Sequence, residues 1–451
     1  MEKQAPKTGE EIGEETEKEA ETETKTETET ETETEAKTET KTETEAEAKT
    51  ETETEPDEEA EEETGKETVL MVHNFYQIGG GEHTVFENEQ RLLREHGHRL
   101  VSYTRNNDEL RHSFLKKLLM PFTTIFSLKT FLEVRRILRK ENITLVHCQN
   151  TFPLISPAVY YAAWSCHVPV VQTIHNFRFL CPNGVFFRDG HACEDCVKRG
   201  LGCAVRNGCY RSSRLQSLVV AAMLTVHRRL GTYQRLRYIF LTEFNREKFR
   251  PLLGDKIESE FIKPNFEYVD RPEGIPERED YYVFLGRLDQ NKGVDFLLNA
   301  WKGDKRLYII GGGELEETAR EASRKNRSLR CLGFLPHDRI WHYLARAQAV
   351  IFSSDLYEGF PLTIIEAFAF GTPVICTDIG NGADMVRTSD AGVCYTPRDA
   401  ESLYHAMEQL RKNYAYYSGN ARRAYEQAYT PEANYRMLKA IYEAVTEENE
   451  E

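Results

Sequence analysis

The sequence predicts an α/β protein with two Rossmann-like parallel-sheet domains facing a cleft, preceded by a disordered acidic N-terminal tail. Three observations carry this expectation. From residue 67 onward, short apolar runs alternate with helical patterns, the mark of βαβ units and parallel sheets. The alternation occurs twice, on either side of a polar, proline-bearing stretch, FEYVDRPEGIPERED (266–280). Before residue 67 the chain is a Thr/Glu repeat with almost no apolar residues, which cannot offset the entropy of ordering. The expected division is a tail over 1–66, a first domain over 67–270 and a second over 271–451.

The tail sets the charge. Of 74 acidic and 58 basic residues, 27 and 8 fall in residues 1–66, so that segment is net −19 and the rest of the chain is net +3. A near-neutral folded part is compatible with an anionic ligand and does not require nucleic acid. The tail reads as a solvating extension, with a docking arm as the alternative. The N-terminus is acidic and lacks an apolar stretch, so no signal peptide is expected, and no run approaches the ~20 apolar residues of a membrane span. A cytoplasmic protein is expected, at most peripheral at the inner face of a membrane. Ten cysteines in such a chain suit thiols or metal rather than disulfides.

The first domain opens on the strand ETVLMVHNF (67–75), then the turn Gly79-Gly80-Gly81-Glu82, then a helix from about Glu82 to His96. Glycines there let backbone approach a ligand and present N–H groups at the helix start, making Gly80 and Gly81 candidate contacts; a tight strand-to-helix connection would need the same residues. There is no Walker sequence. The segment 111–140 is basic and apolar and suits either an anionic membrane surface or a helix packed on the sheet with its cations outside. RLVSYT (99–104), TLVHCQ (144–149), VPVVQTIH (168–175) and YIFLT (238–242) are further strands. His175 ends one of them, placed for the cleft or for a structural role. Five cysteines crowd into residues 181–209. Cys193 and Cys196 form a C-x-x-C pair, and with Cys181 and Cys209 they could hold a structural zinc, Cys203 competing; free thiols are the alternative.

The second series runs YYVFLGRL (281–288), LYIIGGG (307–313), LRCLGFL (329–335), AVIFSS (349–354) and PVICT (373–377), with a largely helical C-terminal segment. Arg287 and Lys292, in GRLDQNKG, would lie on a strand-to-helix loop, where two cations suit a diphosphate or simply face water. In SSDLYEGFPLTIIEAFAFGTPVICTDIG, Pro361 suits the first helical position and Gly371 the helix end. The helix then points its free N–H groups at the C-terminal edge of a parallel sheet, where phosphate binds. Glu358 lies in the loop at that edge and Glu366 about one turn into the helix. One carboxylate can reach what a phosphate carries, the other neutral hydroxyls beyond it: the layout of a nucleotide sugar. Two solvated glutamates in an ordinary βαβ unit are the alternative.

These motifs together resemble the retaining glycosyltransferases of family 4, of GT-B fold (glycosyl transferases group 1), and the cysteine insertion with the following CYRSSRLQS resembles a subset of them. The resemblance covers nearly all of 67–451. It implies that Arg287 and Lys292 bind the diphosphate, that the Leu362 and Thr363 backbones add N–H donors, and that Gly80 and Gly81 complete the phosphate side. It further implies that Glu366 binds the ribose, that Gly312 and Gly313 abut the nucleotide, and that Glu358 and His175 stand at the reacting sugar. The donor would be a UDP- or GDP-sugar, the acceptor a saccharide or lipid-linked molecule in polysaccharide or glycolipid assembly, and no cofactor would be required for catalysis because two cations take a metal's place. The sequence departs from the family pattern at His83 and Asp384. An epimerase or hydrolase on the same architecture and a non-catalytic sugar-nucleotide-binding module are the competing expectations.

Overall fold

The computed structural model describes residues 67–76, 80–110, 114–270, 276–303 and 305–450. The Thr/Glu tail and Gly79 lie outside the described residues. Fourteen strands are present among the described residues: β1 (Thr68–Phe75), β2 (Arg99–Asn106), β3 (Leu145–Asn150), β4 (Val170–Ile174), β5 (Phe187–Arg188), β6 (His191–Ala192), β7 (Arg237–Phe240), β8 (Phe261–Ile262), β9 (Tyr281–Leu285), β10 (Arg306–Ile310), β11 (Leu329–Gly333), β12 (Ala349–Phe352), β13 (Val374–Thr377) and β14 (Gly392–Tyr395).

Two six-stranded sheets result, ordered β2-β1-β3-β4-β7-β8 and β11-β10-β9-β12-β13-β14, and every pairing within them is parallel. Their central strands are buried because helices cover both faces; β3, β4, β12 and β13 are buried at every position, the polar His147, Gln149, Asn150, Gln172 and Thr173 included. In the second sheet the strand order reverses between β9 and β12, and in the first between β1 and β3. Open α/β sheets bind ligands beyond the carboxyl ends of the strands at such a switch point. The loop after β9 carries Arg287 and Lys292, the loop after β12 carries Glu358, and the turn after β1 carries Gly80 and Gly81.

The C-terminal helix, Pro431–Glu450, returns to the first lobe. Its Leu438, Ile441, Tyr442 and Val445 share one core with Val69, Met71, Leu145 and Val171 of the first sheet. The insertion 181–209 holds only the hairpin β5–β6 and two short helices, Asp195–Lys198 and Gly202–Asn207. Its cysteines are free. Among the described residues no group of three or more His, Cys, Asp or Glu side chains is arranged to hold a metal ion. The zinc site expected at Cys181, Cys193, Cys196 and Cys209 is therefore not formed. Cys196 instead donates its thiol hydrogen bond to Cys181, which with backbone N–H groups of Gly184, Phe186 and Asn183 draws the Cys181 thiol below its ordinary value against the opposing effect of burial. Among the described residues no helix is long and apolar enough to cross a membrane.

Candidate active site

The site is assembled from two loops of the second lobe and one turn of the first. After β9 the chain turns through a short 3-10 segment, Gln290–Lys292, and Gly293 at φ +69°. A Cβ on Gly293 would lie 2.0 Å from the Ser353 carbonyl oxygen, so only glycine lets this loop close against the end of β12. The two loops are then zipped together: Ser353 Oγ donates to the Lys292 carbonyl at 2.8 Å, and the Asp355 amide donates to the Asn291 carbonyl at 3.0 Å. This fixes Lys292, whose Nζ donates to Glu358 Oε1 at 2.6 Å, while Ser354 Oγ donates to the same oxygen at 2.5 Å.

The helix Leu362–Ala369 starts beside this pair. Pro361 is its N-cap rather than its first helical residue, one position off the sequence expectation, so the Leu362 and Thr363 N–H groups head the helix without a side-chain cap. The helix stops in a Schellman motif: Thr372 N–H donates to Ala367 O and Gly371 N–H to Phe368 O, both at 2.9 Å, with Gly371 at φ +64°. A single cavity is lined by Gly81, Lys292, Glu358, Leu362 and Thr363 together with Gly286. Gly81 reaches it from the first lobe, where a Cβ would stand 3.2 Å from the Leu362 side chain.

Glu366 is one turn further along the same helix and is buried. His337 Nδ1 stands 3.5 Å from Glu366 Oε1, and hydrogen bonding to Glu366 raises the His337 pKa. Beside it, Glu267 is buried, and burial followed by repulsion from Glu366 pushes its carboxyl up to about 7. Neither His337 nor Glu267 was legible in the sequence as a site residue. Arg287 is on the same loop as Lys292 but is mostly exposed, pairing with Asp289 at 3.0 Å. Gly312 and Gly313 pack behind that loop: Leu288 N–H donates to Gly312 O at 2.9 Å, and a Cβ on Gly313 would lie 2.8 Å from Leu288 backbone atoms.

His175 directly follows β4 and is buried; burial brings its pKa down to about 3, so the imidazole is neutral. Its carbonyl oxygen lies where a Cβ on Gly359 would come within 2.0 Å, and the loop carrying Glu358 thus touches the first lobe. That contact is secured by residues sequence reasoning passed over. Asn381 Nδ2 donates to the Gly359 carbonyl at 2.9 Å and to Asn245 Oδ1 at 2.7 Å, and Asn245 Nδ2 donates to the Gly359 carbonyl at 3.1 Å. Thr242 Oγ1 donates to Asn381 Oδ1. Asp384, one of the two departures from the family pattern, accepts from the Phe244 amide across the same junction at 3.4 Å. The other, His83, pairs with Glu87 on its own helix at 3.1 Å.

A two-lobed GT-B architecture with this cleft defines the class. The family description "Glycosyl transferases group 1" matches residues 265–430 and "Glycosyltransferase Family 4" matches residues 78–193. The chain belongs to the family 4-like GT-B glycosyltransferases. It is 30% identical over 160 residues to O-antigen chain mannosyltransferase C of Escherichia coli, covering 34% of this chain and 43% of that protein. It is 29% identical over 170 residues to phosphatidyl-myo-inositol mannosyltransferase of Mycobacterium leprae, covering 33% and 44%. The match thus spans less than half the length of either relative. Among solved structures, Anabaena HepE in complex with UDP superposes with a TM-score of 0.55 at 15% identity, covering 83% of this chain and 99% of that one. Sucrose-phosphate synthase of Thermosynechococcus elongatus superposes at 0.57 and 17%, covering 84% and 99%.

Proposed function

We propose that this protein is a retaining glycosyltransferase that moves a sugar from a nucleotide sugar to a saccharide or lipid-linked acceptor in polysaccharide or glycolipid assembly. The observation that carries the reading is the Lys292–Glu358 pair, 2.6 Å apart, set beside an uncapped helix N-terminus at the switch point of the second sheet and faced by Gly81 of the first lobe. Lys292 and the Leu362 and Thr363 N–H groups hold the diphosphate, and Arg287 swings from its exposed pairing with Asp289 to join them. Glu366, with His337, accepts the ribose hydroxyls. Glu358 and His175 bracket the transferred sugar. The bond from the anomeric carbon to the diphosphate oxygen breaks as the acceptor oxygen bonds on the same face, and the acceptor proton passes to the departing diphosphate. Stabilising that leaving charge is the main catalytic contribution. UDP- and GDP-sugars are the donors to test first: the HepE structure holds UDP, and mannosyltransferases are among the relatives. Incubation with a panel of nucleotide sugars, with and without acceptor extract, tests the reading. Nucleotide release that depends on acceptor supports it; release without acceptor, or binding without release, rejects it.

The first lobe also exposes large apolar side chains suited to a lipid-linked acceptor. Phe122 on the helix Phe114–Ile125, Leu128 and Leu132 on Leu128–Lys140, and Leu215 on Arg214–Arg229 are all more than half exposed. His227 ties two of these helices together, its Nε2 bonding the Ile125 carbonyl at 2.8 Å. The basic ends of two of the helices (Arg139 and Lys140; Arg229) suit an anionic headgroup layer. Sedimentation with phosphatidylglycerol vesicles but not with phosphatidylcholine vesicles is expected, and equal sedimentation with neither would reject this contact.

A further inference from the structure

Behind His175 lies a buried polar chain that the proposed reaction does not use. His175 Nε2 is hydrogen-bonded to Gln149 Oε1. The Gln149 amide nitrogen bonds Glu89 Oε2 and also reaches His147 Nε2 at 3.2 Å. Glu89 Oε1 accepts from Lys263 Nζ at 2.7 Å, and Lys263 also donates to Asn434 Oδ1 at 2.8 Å. Glu89, His147 and Lys263 are fully buried, and Gln149 nearly so. The chain joins three distant parts of the sequence: the first helix of the first lobe, the segment leading to the second lobe, and the C-terminal helix.

Donor and acceptor accounting leaves one arrangement. Glu89 sits against an ammonium; although burial raises its carboxyl, Lys263 and His147 bring it below its ordinary value. An ionised carboxylate only accepts. The Gln149 group facing it must therefore be the NH2, which turns the Gln149 carbonyl oxygen toward His175. That oxygen also only accepts, so His175 must carry its proton on Nε2. The other Gln149 hydrogen faces His147 Nε2 at 3.2 Å, where Thr173 Oγ1 stands closer, at 2.7 Å; with the Thr173 hydroxyl donating, Nε2 is a lone pair and His147 Nδ1–H donates to Tyr442 OH at 2.7 Å. The two histidines are locked in opposite tautomers.

We propose that Gln149, oriented by the Glu89–Lys263 ion pair, is a positioning residue that fixes His175 as the Nε2–H tautomer and leaves Nδ1 as a hydrogen-bond acceptor. The functional consequence rests on the transferase reading: a neutral acceptor nitrogen at the junction with the Glu358–Gly359 loop takes a sugar hydroxyl and repels a phosphate oxygen. The charged and titratable groups facing His175 are Glu89, Lys263 and His147, with His73 adjacent.

The test is long-range 1H–15N correlation on full-length protein labelled with 15N-histidine, with His175 assigned by its loss in His175→Gln. The expected result is a neutral His175 protonated on Nε2 from pH 5.5 to 8, with His147 showing the Nδ1–H pattern. An Nδ1–H pattern at His175, or titration of its ring within that range, overturns the proposal. In Gln149→Leu the tautomer should become mixed, and kcat should fall on the order of 10- to 100-fold with KM for the donor sugar held within about twofold. A tautomer unchanged in Gln149→Leu overturns the role given to Gln149. Because the spectrum needs no substrate, failure of the transferase reading would leave this result standing, and the reverse also holds.

Discussion

Glu267 offers a sharp test of the electrostatics beside the helix Leu362–Ala369. Its carboxyl is buried next to Glu366, and its pKa rises from the ordinary 4.5 to about 7. Between those values the folded protein holds a proton that the unfolded chain has lost. Stability therefore falls as pH rises through that window, and the full cost is present above pH 7. At roughly 1.36 kcal/mol for each tenfold change in proton affinity, that rise costs about 3 kcal/mol. Glu267→Gln keeps the shape and cannot ionise, so it removes this cost. For a chain this long, 1 kcal/mol moves Tm by roughly 1–2 °C. The variant should melt with the wild type at pH 5 and about 3–6 °C above it at pH 8.5, measured by calorimetry in paired scans. A difference in Tm that does not change with pH would refute the account of Glu267 as a destabilising, desolvated acid.

Three further perturbations follow from the same geometry. Lys263→Met strips the buried Glu89 of its cation and should cost about 3–5 kcal/mol in urea unfolding, whereas Lys263→Met with Glu89→Leu should recover most of that loss. Gly359→Val places a side chain on the His175 carbonyl and should lower activity at least tenfold while costing about 1–3 kcal/mol of stability; wild-type turnover in this variant would show that the loop need not touch the first lobe. Glu366→Ala should weaken nucleoside diphosphate binding by roughly 1.5–3 kcal/mol, the value of a hydrogen bond to a charged group, as measured by calorimetric titration.

The strands of both sheets were legible because a parallel sheet covered on both faces favours short β-branched and apolar runs, and AVIF, VICT and VVQTI supply them. The stop at Gly371 was legible because a left-handed residue is required there. Pro361 was misplaced by one position, since cap and first turn differ only in backbone conformation. β8 and β14 were passed over: FI is only two residues, and GVCY opens on a glycine and alternates between buried and half-buried positions at the sheet's edge. The site was legible where chemistry is local, at Lys292, Glu358 and the helix start. It was not legible where distant segments converge. His337 and Glu267 reach Glu366 from separate elements, and Asn381, Asn245 and Thr242 meet only when the lobes do. The cysteines show the converse error, a spacing that allows metal binding but a fold that leaves Cys181 and Cys196 as free thiols hydrogen-bonded to each other. Nor did the sequence signal that its last helix would pack on the first sheet, because an apolar stripe does not name its partner.

The most direct test is a crystal structure of the protein soaked with UDP or GDP. The account predicts the terminal phosphate within about 3 Å of Lys292 Nζ and of the Leu362 and Thr363 amide nitrogens, with the ribose hydroxyls on Glu366. A nucleotide bound elsewhere, or with its ribose away from Glu366, would contradict it.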